Sequence, residues 1–152
     1  MGGITNRGKY NMLGILFPAS VSVPANFFLQ LFTSAFAPGP DSNLDGDLTE
    51  IAAGNGYTAG GVSIARNATD FDVLTEDDTN DRALVQIKDI TWTASGGNLP
   101  VSGSGARYAG LAGTGLVGSR DLWTWFDLVS DRTVSDTQPL TLQDCEMRLN
   151  NV

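Results

Sequence analysis

The spacing of apolar residues along this chain changes once, near its start. Between Thr5 and Phe17, Tyr10, Leu13, Leu16 and Phe17 recur every three to four residues, and Thr5 stands where a helix cap would. This spacing predicts a short helix or a docking arm, stopped by Pro18 and weakened by Gly8 and Gly14. After Pro24 the apolar residues alternate instead. Residues 25–34 (ANFFLQLFTS) predict a strand with Phe27, Leu29 and Leu31 on one face and Phe28 and Phe32 on the other. A strand apolar on both faces must be covered twice, by the core and by a further element or subunit.

Farther along, Asp47 to Glu50 has the form of a capping box, which predicts one helical turn stopped by Gly54. Strands are predicted at 62–66 and 71–74, followed by an acidic turn at 76–81. In 83–93 the apolar phase slips, from Val85 and Ile87 to Ile90 and Trp92. It slips again in 140–149, from Leu140 and Leu142 to Cys145, Met147 and Leu149. Strand side chains have period two, so each slip predicts a β-bulge or a bend. Strands are also predicted at 106–112 and 122–129, after a Gly/Ser loop at 94–105. Together these make an all-β chain, a β-sandwich or jelly roll of about seven to eight short strands with a short N-terminal helix or arm. The expected division is an N-terminal docking arm or short helix over 1–17 and a single β-sandwich domain over 18–152.

Composition narrows the function more than the fold. With 152 residues, 41% of them hydrophobic, the chain can bury one core. Cys145 is the single cysteine, so no internal disulfide forms, which fits a reducing compartment. The net charge is −8. Nucleic-acid affinity rests on cations neutralising phosphates, so no nucleic-acid partner is expected. The same sign disfavours an anionic membrane surface, and no apolar run approaches the ~20 residues of a membrane span. The N-terminus has no secretory pattern, so a soluble product is expected.

Histidine is absent, which removes Ser-His-Asp and Cys-His sites and histidine metal sites. We expect no catalytic residue, no cofactor and no enzyme activity. Asp70, Asp72, Glu76, Asp77, Asp78 and Asp81 crowd a turn, where solvated surface explains them better than a facing catalytic pair. Gly113, Gly115 and Gly118 match a dinucleotide pattern, but an alternating strand follows them where a helix is required, so a glycine turn is the better reading. Asp41, Asn43, Asp45 and Asp47, with Gly46 between, have the spacing of a calcium loop. Ala52 stands where the closing bidentate acid belongs, so these four are a weak candidate and no tight site is expected. Asn67 to Thr69 is a glycosylation sequon that means nothing without a secretory signal. Trp123 and Trp125 are expected on one strand face, opposite Leu122, Thr124 and Phe126. They could form a sugar-stacking platform, a subunit contact or ordinary packing between sheets.

Residues 70–82 (DFDVLTEDDTNDR), 85–97 (VQIKDITWTASGG) and 102–108 (SGSGARY) resemble small virion structural proteins of tailed bacteriophages. So do 24–34, 47–57 and 140–149, and together these cover nearly the whole chain. Several such proteins are similar to head decoration (cement) proteins. The resemblance implies a β-sandwich or jelly roll on the outer head surface of the virion, often a homotrimer, made in the host bacterial cytoplasm. Such a protein bridges neighbouring subunits of the major capsid protein. A tail or fibre component is the alternative in the same setting, and a carbohydrate-binding module is the alternative outside it. The interface candidates are Tyr10, Leu13, Leu16 and Phe17 on the arm, Phe28 and Phe32 as extra apolar surface for self-association, and Trp123 and Trp125. Arg7 and Lys9 concentrate positive charge on the arm, which suits an acidic patch on a partner.

Overall fold

The computed structural model describes residues 2–150; Met1, Asn151 and Val152, at the outer ends of the expected arm and domain, lie outside the described residues. In chain order the elements are β1 (Gly3–Ile4), α1 (Asn6–Leu16), β2 (Asn26–Phe32), β3 (Val62–Ala65), β4 (Val73–Asp77), β5 (Arg82–Ile87), β6 (Ile90–Thr93), β7 (Ala106–Ala112), β8 (Leu122–Arg132), β9 (Pro139–Leu142) and β10 (Cys145–Asn150). A 3-10 turn lies at Asp45–Asp47. The strands form a five-stranded sheet in the order β1-β8-β7-β2-β3, a three-stranded sheet β10-β5-β4 and a pair β6-β9. Neighbouring strands are antiparallel throughout. The chain is an all-β sandwich. Phe27, Leu29, Leu31, Ile64, Leu111 and Phe126 line the inner face of the larger sheet. Ile87, Ile90, Trp92, Leu140 and Leu142 meet them from the facing strands, in one buried cluster.

The two phase slips turn out to be one feature. Ile87 pairs with Cys145 and Ile90 with Leu142, so each strand skips two residues at the same level. Neither strand has a residue in excess, so this is a matched bend and not a bulge. Side chains fasten it: the Gln143 amide donates to Asp89 at 3.1 Å and the Gln86 amide to Asp144 at 3.1 Å. Lys88, in the bend, forms an ion pair with Asp70, whose second oxygen accepts the Ala65 N–H at 2.7 Å. The Lys88 hydrogen bond, helped by the Ala65 N–H, holds the Asp70 carboxyl below its ordinary range.

Two expectations are corrected here. Residues 47–53 form no helical turn. Asp47 instead accepts the Leu44 N–H at 2.8 Å, capping the 3-10 turn that precedes the expected helix. The chain then runs extended beside the end of β2, with the Ile51 N–H donating to the Leu31 carbonyl at 3.0 Å. Extension sends Leu48 and Ile51 into two different buried clusters, which outweighs one marginal turn of helix. The N-terminal segment is not an arm outside the β-core either. Gly3 and Ile4 pair with Trp125 and Thr124, making β1 the edge strand of the larger sheet. Among the described residues no helix is long and apolar enough to cross a membrane.

Candidate functional site

The helix α1 is attached to the sandwich by its small and polar side. Thr5, fully buried, caps it: its Oγ1 accepts the Gly8 N–H at 2.9 Å and donates to the Leu122 carbonyl. The Thr5 N–H donates to the Trp123 carbonyl at 3.0 Å. One turn on, the buried Asn11 donates to Asp121 at 2.9 Å. Gly8 lies flat on β8, and a Cβ there would stand 2.2 Å from the Trp123 carbonyl oxygen. The two glycines that weaken the helix on propensity are therefore on its buried face, with Asn11.

A surface helix of a globular protein ordinarily turns its apolar stripe inward. Here only Met12 and Ile15 pack against the core, and the other apolar side chains are left outside. With residues advancing about 100° each, Leu13 and Leu16 fall roughly opposite the buried side, with Tyr10 and Phe17 on one flank. Leu13 and Leu16 are 56% and 73% exposed, and Tyr10 and Phe17 are 59% and 78% exposed. Beside them runs an apolar groove of about 500 Å³, lined by Met12, Leu13, Ile15 and Leu16 from α1 and by Phe27 and Trp123 from the sheet. It shares Phe27, Trp123 and Leu149 with a further hollow of about 270 Å³ that reaches Leu74, Leu84 and Met147. The sequence pattern identified Leu13 and Leu16. It missed Met12, Ile15 and Leu149, because the groove forms only when α1 meets strands distant in the chain.

The second face of β2 is covered from within. Phe32 is fully enclosed with Leu48 and Leu122. It sits over Gly110, where a Cβ would come within 2.8 Å of its ring. Phe28 is half-buried beneath the Arg120 guanidinium, 4.0 Å from the ring centroid. That buried guanidinium donates to the Gly60 and Gly115 carbonyls at 2.8 and 3.2 Å. Phe32 thus offers no exposed surface, and Phe28 exposes only part of its ring. Arg120 was not foreseen, since a lone cation after a glycine run carries no local signal of burial.

The tryptophans separate. Leu111 pairs with Thr124 but Ala112 with Leu122, so Trp123 is the extra residue of a bulge. It turns into the main core, edge-on to Phe27 at 5.2 Å, while Trp125 lies on the opposite face, edge-on to Tyr108 at 6.4 Å. No shared stacking platform results.

The calcium candidates also diverge. Asp41 accepts from the Asn6 amide at 2.8 Å, and Asp47 is taken by Leu44. The Asn43 carbonyl accepts the Leu122 N–H at 2.8 Å, and the buried Asp45 accepts the Arg120 N–H at 2.9 Å. The Asp41, Asp45 and Asp47 side chains hold loops, Asn43 does so through its backbone alone, and the second carboxylate oxygen of Asp45 is buried without a partner. Among the described residues no three side chains of the metal-binding acidic or thiol types are grouped to hold an ion.

Two further titratable groups are buried. The Tyr57 hydroxyl donates to Glu50 at 2.6 Å and accepts the Leu31 N–H at 3.0 Å. Burial first, then the Glu50 bond, pushes it far above the ordinary tyrosine range. Burial, with Asp144 and Asp89 nearby, pushes the Cys145 thiol up to about 11. A protonated, enclosed thiol is inert as a nucleophile. Both groups stabilise packing. Comparison of the chain with family models, curated proteins and solved structures finds no match.

Proposed function

We propose that this protein is a structural component of a tailed-phage particle, a head decoration protein that binds the outside of the assembled shell and bridges neighbouring capsid subunits. One observation carries the docking part of this reading: α1 is fastened by Thr5, Gly8 and Asn11 and leaves Leu13, Leu16 and Phe17 in water. Apolar side chains held out on a rigid element gain about 25 cal/mol for each Å² a partner covers. The element is already ordered, so binding does not carry the entropy of folding an arm. The placement on a phage head comes from the sequence resemblance.

The function needs surfaces and no reaction, and many copies acting together would resist the pressure of packaged DNA. The test is binding of the purified chain to head shells stripped of it. Wild type should bind stably, and Leu16→Asp with Phe17→Ser should lose most of that binding while keeping an unchanged circular dichroism spectrum. Full binding by the double variant would sink the proposal. A tail or fibre position would use the same face, and low copy number in purified particles would favour it.

A further inference from the structure

The groove beside α1 carries charge of one sign. Lys9 and Arg66 both line it, and neither has a carboxylate within salt-bridge reach among the described residues. By contrast Arg7, Arg82, Lys88, Arg107 and Arg148 are all in ion pairs. Arg120 is buried against carbonyls, and Arg132, also without an ion pair among the described residues, lies away from the groove and donates to the Leu128 carbonyl. The whole chain has nine Lys and Arg against 17 Asp and Glu. Two unpaired cations on one apolar groove therefore stand out from the prevailing charge. The expectation that Arg7 acts with Lys9 is revised, because Arg7 lies 3.7 Å from Asp121. Arg66, the residue after β3, joins Lys9 only through the fold.

We infer that the groove accepts an apolar stretch of a partner polypeptide flanked by Asp or Glu. This rests on the docking reading above and adds the chemistry of the occupant. Partner side chains seated between Met12, Leu16 and Leu149 would remove apolar surface on both sides from water. Lys9 and Arg66 can extend their apolar stems along such a segment while their charged ends meet its carboxylates at the solvent rim. Rim charges of this kind select the partner and speed its arrival. A second copy of this chain on a two-fold axis fits poorly. Such a contact would set two copies of the same cation-bearing patch against each other, and α1 contains no acidic residue to answer them.

The experiment uses the full chain and two short fluorescein-labelled peptides, one of Leu, Phe and Glu, the other with Lys for every Glu. Fluorescence anisotropy should show the acidic peptide binding about tenfold tighter or better, a preference that weakens with salt. Lys9→Glu with Arg66→Glu should reverse the order of the two peptides, and Leu13→Ser with Leu16→Asp should abolish binding of the acidic one. Equal binding of both peptides, or an order unchanged by the charge swap, overturns the inference. So does self-association in sedimentation that the Leu13 and Leu16 changes remove, since the groove would then belong to a second copy. The two proposals fail separately. A reversed peptide preference with intact head binding by Leu16→Asp sinks decoration through this face and leaves the groove chemistry standing. Lost head binding with an unreversed preference does the opposite.

Discussion

Phe32 at the end of β2 and Phe17 at the end of α1 are chemically the same side chain in two opposite settings. Phe32 is wholly enclosed by Leu48 and Leu122, whereas Phe17 is 78% exposed. Both belong to elements with more apolar residues than one core face requires. On β2 the surplus is absorbed by the chain itself, through the extended segment at 48–51 and the Arg120 guanidinium over Phe28. On α1 only Met12 and Ile15 reach the core, because the helix spends the rest of its inner face on Gly8, Asn11 and Gly14. The difference separates two uses of apolar surface. One kind stabilises the monomer, and the other remains available to a partner.

Stability measurements can break this comparison, and the largest effect belongs to the enclosed residue. Phe32→Ala should destabilise the fold by about 3–5 kcal/mol, read as a lowered urea midpoint, because it opens a cavity under Leu48 and Leu122. A loss below about 1 kcal/mol would mean that the second face of β2 is loosely covered and open to a subunit after all.

The attachment of α1 comes next. Alanine is the better helix former by about 1 kcal/mol, so Gly8→Ala should stabilise a helix that stands free of the sheet. Against the Trp123 carbonyl it should instead destabilise by about 1–3 kcal/mol. A raised midpoint would show that α1 is not seated on β8.

The smallest effect is the most diagnostic. Leu16→Ser and Phe17→Ser should each change stability by no more than about 0.5 kcal/mol, since neither side chain leaves water on folding. A loss comparable to that of Phe32→Ala would place them in the monomer's own core and remove the docking face.

How far these features were legible varies with their range along the chain. The Thr5 cap and the extent of α1 follow from local spacing, and the structure places them within a residue. The strand at 106–112 and the double apolar face of β2 were likewise readable from alternation. Alternation failed at Trp123, because a bulge adds one residue without any compositional mark and moves the indole to the other face. It failed at 47–53 because a capping box is a local signal, and the pairing of Ile51 with Leu31 is not.

By itself, then, the sequence determined the sandwich class, the capped helix, and the absence of histidine chemistry. All of these depend on residues close in the chain or on composition. The tertiary structure alone decided which apolar surfaces remain open. A helix's pattern defines its stripe but not which side meets the sheet. That choice was made by close approach: β8 lies against the backbone of Gly8 and accepts the buried Thr5 hydroxyl, and no larger side chain could replace that contact. The same packing brings Lys9 and Arg66, far apart in sequence, to one apolar groove.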